Sequence, residues 1–275
     1  MNPDPQQLYW LVAALVLAGL LAGLLAGLLG VGGGLVIVPV VYQVLLTTGA
    51  SEEHLMQVAV GTSLLLIVPT GLRSALGHHR RGAVLGWLLR RWALALVFGV
   101  MVGVVAAHTL SSGALALVFA TLVLAMAGWL IWAPESFRLG QALPTGPVAH
   151  AIPASIGGLS ALMGIGGGSL SVPIMSAYGI PLLQAVGTSA ALGLMIALPG
   201  AAGFMIAGWP IENLPPYSLG YVNLLVAACI LPSMLLAVPA GVRLAHHVSG
   251  RTLRLAFALF LIVTGLRMSW AGLAG

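Results

Sequence analysis

Residues 27–39 read GLLGVGGGLVIVP, and residues 161–173 read ALMGIGGGSLSVP. In both copies three glycines in a row lie inside apolar sequence, and a proline follows at the same distance, as Pro39 and as Pro173. Glycine and proline both weaken an α-helix, so each copy predicts a break in a helix. A helix-breaking apolar motif that occurs twice is typical of an internally repeated membrane protein.

A second phrase recurs downstream of each glycine cluster. The letters AVGTS stand at 59–63 and again at 185–189. The agreement continues to the end of each half, where Trp132 aligns with Trp270. The duplication therefore covers most of the chain and is not confined to one motif.

The composition predicts a protein that lies in a membrane. Of the 275 residues, 60% are apolar and 5% are charged, whereas a soluble domain carries about 25% charged residues. Several apolar runs reach the roughly 20 residues that are needed to cross a bilayer. All ten basic residues are arginines near segment ends, which is typical of a topology signal and does not suggest nucleic-acid binding.

Apolar runs bounded by turn residues or charges predict five segments in each half. They fall at about 8–30, 33–48, 54–76, 84–108 and 113–132, and then at 149–165, 168–180, 182–207, 219–243 and 252–272. The second segment of each half is short, which leaves open whether it crosses the membrane. The predicted fold is an all-α polytopic membrane protein of about ten segments, with broken helices at the glycine-rich motifs.

The arginines predict opposite orientations for the two halves. The loop after segment three holds Arg80 and Arg81, and the loop after segment four holds no arginine. In the second half the pattern is exchanged: the loop after segment eight has none, and the next has Arg243 and Arg251. Because basic loops stay in the cytoplasm, corresponding loops lie on opposite sides, which requires inverted five-segment repeats. The alternative is that ten arginines are unevenly distributed by chance.

This pattern divides the chain into a first membrane repeat at 1–132, a cytoplasmic connector at 133–148 and a second membrane repeat at 149–275. Both termini are then expected outside the cell. Arg267, near the last membrane boundary, fits this arrangement poorly.

The glycine clusters are the first candidates for a substrate site. They comprise Gly32, Gly33, Gly34, Gly166, Gly167 and Gly168. A helix break in hydrocarbon is tolerated only where protein or a water-filled cavity surrounds it, and the free N–H groups at a helix N-terminus bind anions. Close helix packing through small residues is the alternative. The duplication favours breaks that line a substrate path.

Hydroxyl side chains in the repeated phrases are the second group of candidates. They are Thr62, Ser63, Thr188 and Ser189. Inside a helix such a hydroxyl can bond a carbonyl of its own helix, or it can donate to an anion, and the sequence leaves both roles open. Ser169, Ser171 and Ser176 add hydroxyls beside the second cluster only. We include Ser169 in the predicted substrate site.

Acidic residues are absent from the predicted spans. All five lie in tails or loops, at Asp4, Glu52, Glu53, Glu135 and Glu212. No carboxylate relay or cation site of an ion-coupled pump is therefore visible, and a pathway without buried negative charge suits an anionic substrate. Arg73, about one turn inside the end of the third span, either snorkels to the interface or faces the pathway. No nucleotide, metal or catalytic motif is visible, and no cofactor is expected.

At these residues the chain resembles the TauE/SafE family of sulfite and organosulfonate exporters. The two glycine clusters with their prolines and the two AVGTS phrases carry the resemblance, which spans nearly the whole chain. It implies export of a small sulfur-containing anion, such as sulfite, sulfoacetate or a related sulfonate, across the inner membrane of a bacterium or archaeon. It does not identify the anion.

We therefore expect a transporter that exports a small sulfur-containing or organic anion by alternating access. A passive anion channel is the alternative, and a membrane enzyme or scaffold is a third hypothesis that the missing catalytic cluster disfavours. Expelling one negative charge from a cell that is negative inside gains about 2.3 kcal/mol per 100 mV, so no coupled cation is required. The expected partners are the anion and the lipid bilayer, without nucleic acid; a homodimer is left open.

Overall fold

The computed structural model describes residues 5–29, 33–132, 138–244 and 250–274. Within these ranges the chain forms ten α-helices. The first five are α1 (Pro5–Leu29), α2 (Gly34–Thr47), α3 (Leu55–His79), α4 (Gly86–Thr109) and α5 (Ser112–Trp132). The second five are α6 (Val148–Met163), α7 (Gly168–Ala177), α8 (Leu182–Ala207), α9 (Leu224–Leu244) and α10 (Gly250–Ala274).

Most of these helices are made of residues that prefer a lipid environment. Among the described residues, six helices are long and apolar enough to cross a membrane, namely α1, α3, α4, α5, α8 and α9. Many large apolar side chains point outward, for example Leu94 and Trp132, as expected where lipid and not water covers the surface. The prediction of an all-α polytopic membrane protein is confirmed.

The helices α2 and α7 are the two shortest of the described α-helices. They contain 14 and 10 residues, which at 1.5 Å per residue gives about 21 Å and 15 Å. Neither spans the roughly 30 Å hydrocarbon core by itself. Each begins directly after a glycine in the left-handed region, Gly33 with φ 77° and Gly167 with φ 70°. The glycine clusters therefore end one helix and begin a short second one, as predicted.

One predicted segment begins too early. Residues 219–223 were expected to be helical because Leu219 and Val222 are apolar. In the structure they belong to a two-stranded antiparallel hairpin of β1 (Ser218–Leu219) and β2 (Val222–Asn223), and α9 starts only afterwards. Gly220, with φ 54°, makes the turn. Hydropathy alone does not separate a short apolar hairpin from the first turn of a helix.

Helices of each half pack mainly against helices of the other half, and corresponding helices have corresponding partners. The helix α1 packs along α9, and its counterpart α6 packs along α4. In the same way α3 contacts α9 while α8 contacts α4, and the pairs α3–α8 and α5–α10 join counterparts to each other. The halves are therefore interleaved, although the division into two repeats stays a prediction.

Glycines on α1 and α4 make this interleaving close. A Cβ atom at Gly23 or Gly27 of α1 would overlap the carbonyl oxygens of Met234 and Val238 on α9. Likewise, a Cβ atom at Gly99 of α4 would overlap the carbonyl oxygen of Ala154 on α6. The signal for this packing is the Gly-x-x-x-Gly spacing in α1, which our sequence analysis did not single out.

The described part of the connector, residues 138–147, is tied to the helices beside it. The Arg138 guanidinium donates to the carbonyl oxygen of Ser176 at 2.5 Å, and the Leu139 N–H donates to that of Ala177 at 2.8 Å. Arg91 at the start of α4 donates to the carbonyl oxygen of Pro144 at 3.0 Å. The connector therefore covers the C-terminal end of α7.

Candidate functional site

The first glycine cluster is closed by backbone packing. Gly32 lies outside the described residues. A Cβ atom at Gly33 would lie 2.7 Å from the carbonyl oxygen of Ala22, and one at Gly34 would overlap the carbonyl oxygen of Gly164. Gly164 ends α6, so the two helix breaks meet each other inside the protein.

A hydroxyl of the first AVGTS phrase fixes this meeting point. The Ser63 Oγ donates to the carbonyl oxygen of Gly164 at 2.7 Å, and Ser63 is fully buried. Gly164 has φ 64°, and a Cβ atom there would lie 2.9 Å from the Cα atom of Val60. The predicted site residue Ser63 therefore joins α3 of the first half to the break of the second half.

The two threonines hold the fourth helix of the opposite half. Thr62 Oγ1 accepts the backbone N–H of Asn223 at 2.8 Å, and Thr188 Oγ1 accepts that of Leu85 at 3.0 Å. These N–H groups lie just before α9 and α4, so each threonine acts as a cap supplied from another helix. The role of the two threonines in binding substrate stays a prediction, but their oxygen atoms have a structural partner.

The glycines of the same phrases allow the capped segments to approach. A Cβ atom at Gly61 would overlap the carbonyl oxygen of Tyr221, and one at Gly187 would lie 2.5 Å from that of Ala83. The fully buried Ser189, last in the second phrase, donates to the carbonyl oxygen of Val186 at 2.8 Å. The duplicated phrase is therefore a docking surface for the start of the fourth helix.

The second glycine cluster has polar surroundings. The Leu170 and Ser171 N–H groups donate to the carbonyl oxygen of Gly167, so α7 begins here and its earlier N–H groups have no acceptor in the helix. Ser160 on α6 is fully buried, and its Oγ lies 3.4 Å from the Cβ position of Gly167. The carbonyl oxygen of Gly166 lies 2.5 Å from the Cβ position of Gly193 on α8.

Four buried hydroxyl oxygens on α6 and α7 have no hydrogen-bond partner among the described residues. They belong to Ser160, Ser169, Ser171 and Ser176. Ser169 and Ser176 are seven residues apart and share a face of α7, whereas Ser171 points in another direction. Ser160 thus lies beside Gly167 at the start of α7, and Ser169 and Ser171 belong to the first turn of that helix. An unpaired buried hydroxyl costs free energy, so a ligand that accepts hydrogen bonds would stabilise this region.

The charges near the two breaks favour an anion over a cation. The described acids, Glu52, Glu53 and Glu212, are all exposed and lie outside the long helices. Within the described ranges, no group of three metal-ligating side chains occurs. Backbone N–H groups, serine hydroxyls and the positive end of the α7 dipole are therefore what the second break offers.

A histidine–tyrosine cluster lies at the N-terminal end of α3, where Tyr221 packs against Gly61. The fully buried Tyr221 has its hydroxyl 3.2 Å from Nδ1 of His108, and its ring lies 5.5 Å from that of His54. Burial, and to a smaller degree the charge of Glu53, raises the pKa of Tyr221. No local sequence signal marks this cluster, because its members are far apart in the chain.

Together, the fold and the sequence comparisons define a multi-pass membrane transporter. The chain belongs to the TauE/SafE family: the family described as Sulfite exporter TauE/SafE matches residues 15–268, which confirms the resemblance. It is 34% identical over 240 residues to the "Probable membrane transporter protein" of Haemophilus influenzae, covering 87% of this chain and 90% of that protein. No solved structure matches significantly.

Two further relatives carry similar names. A "Probable membrane transporter protein" of Bacillus subtilis is 27% identical over 270 residues, which cover 89% of this chain and 92% of the relative. One of Methanocaldococcus jannaschii is 24% identical over 260 residues, which cover 94% and 95%. The similarity therefore extends over nearly the full length of all three proteins.

Proposed function

We propose that the protein exports a small sulfur oxyanion or organosulfonate, and that the anion binds at the start of α7. The observation that carries this proposal is the buried, unpartnered Oγ of Ser160 beside Gly167. It stands next to the free N–H groups of a helix N-terminus and close in sequence to a second unpartnered hydroxyl, that of Ser169. The family description, Sulfite exporter TauE/SafE, supports the sulfur chemistry.

Neutral donors suit an anion that has to leave the site again. The N–H groups at the helix start and the two hydroxyls can all donate to sulfonate or sulfite oxygens. No buried arginine among the described residues would hold the anion as a permanent ion pair. Binding by dipoles and hydroxyls is therefore strong enough for selection and weak enough for release.

The driving force in this proposal is the membrane potential together with the substrate gradient. A monovalent anion leaving a cell that is negative inside gains about 2.3 kcal/mol per 100 mV. The described acids lie outside the long helices, which supports transport without a carboxylate that carries protons or cations.

Alternating access and inverted repeats are part of the proposal. The exchange of packing partners, α1 on α9 and α6 on α4, is the pattern that a pseudo-twofold axis produces. Because these contacts cross between the halves, each moving body would contain helices from both. Reporter fusions at Ala142 and at Gly275 test the inversion: we expect opposite sides of the membrane, and finding both on one side would exclude it.

We place the protein in the plasma membrane of a prokaryotic cell. We also propose that it is not an enzyme. The relatives from Haemophilus influenzae, Bacillus subtilis and Methanocaldococcus jannaschii support the location, and their names as transporters support the second point.

The test is flux in proteoliposomes with sulfite, thiosulfate and sulfoacetate as probes. We expect saturable flux that responds to an imposed potential, and a tenfold or greater rise in KM for Ser160→Ala, because a hydrogen bond to a charged group contributes about 1.5–3 kcal/mol. The matched control is Thr70→Val, since Thr70 is equally buried but its hydroxyl already donates to the carbonyl oxygen of Leu66 at 2.6 Å.

Three results would contradict the proposal. Flux that rises linearly with concentration would indicate a channel. A strict requirement for a sodium or proton gradient at zero potential would exclude potential-driven export. An unchanged KM in Ser160→Ala would move the anion site away from α7.

A further inference from the structure

A groove between the C-terminal ends of α3 and α9 carries four arginines. Its volume is about 550 Å³, and Arg73, Arg80, Arg81 and Arg243 line it. The lining residues between them are apolar and include Leu76 and Pro239. The groove thus combines concentrated positive charge with an apolar wall.

The groove opens toward the outside of the helix bundle. On α3, Gly71 faces α8, with its Cβ position 3.8 Å from the Leu194 nitrogen. Ser74 faces α1 and donates to the carbonyl oxygen of Ala26 at 3.3 Å. Arg73 and Leu76 lie on a different side of the helix, and Leu76 is 47% exposed. A molecule in this groove would approach from the lipid phase.

The arginines lie at two depths relative to the membrane surface. Arg73 precedes the end of α3 at His79 by six residues, about 9 Å along the axis, whereas Arg80 and Arg81 follow that end. Arginine stems can lie along apolar surface while the guanidinium reaches a polar layer. The charges therefore bracket the level at which phospholipid phosphates lie.

Among the residues that the structure describes, no carboxylate lines the groove. The acids Glu52 and Glu53 lie before the first turn of α3, whereas the groove is at its last turns. A helix of 25 residues is about 37 Å long, so these charges are on the opposite side of the membrane. Arg73, Arg80 and Arg81 therefore give the groove a positive charge that an added anion can neutralise.

The three arginines that follow the first AVGTS phrase have no basic counterparts after the second phrase. With the AVGTS phrases aligned, Arg73, Arg80 and Arg81 correspond to Pro199, Ile206 and Ala207. The position of the charge is therefore a property of one membrane face, the face that the basic loops assign to the cytoplasm.

We propose that this groove binds the phosphate headgroup of an anionic phospholipid of the cytoplasmic leaflet, with an acyl chain along Leu76 and Pro239. Guanidinium groups bind phosphate in a bidentate way, and basic pockets between membrane helices at this face bind anionic headgroups. The apolar wall favours a lipid over a free oxyanion, because a free oxyanion has no acyl chain to pack against it.

The experiment measures lipid binding to the purified full-length protein in detergent by native mass spectrometry. Phosphatidylglycerol, phosphatidylcholine and inorganic phosphate are the three probes. We expect preferential binding of phosphatidylglycerol, and about twenty-five-fold weaker binding in Arg73→Gln/Arg80→Gln, since each arginine near a surface contributes about a factor of five. The matched control is Arg90→Gln/Arg267→Gln, which removes the same charge from exposed arginines outside the groove.

A second variant separates charge from folding. Arg73→Lys/Arg80→Lys keeps both charges and should retain most of the phosphatidylglycerol binding, and all variants should unfold at the same temperature in phosphatidylcholine. Equal loss of binding in the groove variant and the control would overturn the proposal. Binding of inorganic phosphate at millimolar concentration, with displacement of the lipid, would also overturn it and would assign the groove to a soluble oxyanion.

Discussion

Gly33 and Gly167 occupy corresponding positions and share a left-handed backbone, yet their surroundings differ. Around Gly33 and Gly34 the protein is filled by backbone atoms of Ala22 and Gly164. Around Gly167 there are buried hydroxyls without partners, beginning with Ser160. The same duplicated break is thus closed in one half and polar in the other.

Four serines on α6 and α7 have apolar or aromatic counterparts in the first half. The positions that correspond to Ser160, Ser169, Ser171 and Ser176 hold Ala26, Leu35, Ile37 and Tyr42. All four first-half residues are buried members of the core. The duplicated motif therefore provides the same backbone geometry in both halves, and the neighbouring side chains make its surroundings apolar in the first half and polar in the second.

The largest expected effect comes from adding a methyl group to each break. In Gly34→Ala the Cβ would overlap a backbone carbonyl oxygen, which cannot move aside, so we expect little folded protein in the membrane. In Gly167→Ala the Cβ would meet the Cδ1 of Ile196, the flexible end of a side chain. That variant should fold, with a left-handed strain of about 1–2 kcal/mol, and lose transport.

Membrane yield and flux measure this pair. Normal yield of Gly34→Ala, or normal transport by Gly167→Ala, would contradict the contrast between a closed and a polar break.

The next effect concerns the side chain that makes the second break polar. Ser169→Leu installs the residue of the first half, and we expect at least a tenfold rise in KM because a donor to a charged ligand is lost. Ser171→Ile is the matched substitution on another face of α7, and it should change KM little. Equal effects of the two on KM would remove the distinction between the faces.

A smaller effect is expected at the equivalent threonines of the two AVGTS phrases, whose surroundings are alike. Thr62→Val and Thr188→Val each leave a backbone N–H without its acceptor, which costs about 1–3 kcal/mol of folding free energy. Both should unfold at lower temperature, with KM unchanged, whereas Thr→Ser at either position keeps the acceptor and most of the stability. A raised KM without loss of stability would instead place these hydroxyls on the anion.

The smallest expected effect is a pH dependence of stability that separates the segment before α9, which contains Tyr221, from the segment before α4, which contains Ala83. Because the folded state raises the pKa of Tyr221, this tyrosine contributes stability below its ordinary pKa of about 10. That contribution is lost as the pH rises through the folded value. Ala83 holds the corresponding place and does not titrate. Thermal unfolding between pH 8.5 and 11 should show a steeper alkaline loss for the wild type than for Tyr221→Phe; parallel curves would contradict it.

Much of the architecture was predictable because it depends on local sequence. Apolar length predicts membrane helices, and glycine with proline predicts where they break, as at Gly33 and Gly167. The hairpin at 218–223 was missed because Leu219, Tyr221 and Val222 lead directly into the apolar sequence of α9, although Gly220 and Asn223 are turn residues. The partners of Thr62 and Ser63 were missed because Asn223 and Gly164 are more than 100 positions away in the chain.

By itself, the sequence determined that this chain lies in a membrane, that its helices break at two glycine clusters and that it belongs to a transporter family. These properties follow from hydropathy, from the conformational freedom of glycine and from motif identity, all of which are read along the chain. Only the tertiary structure decided which break is closed, which hydroxyls lack partners and which arginines share a groove. The physical reason is that packing and hydrogen bonding act between atoms close in space, and the chain brings those atoms together only when it folds.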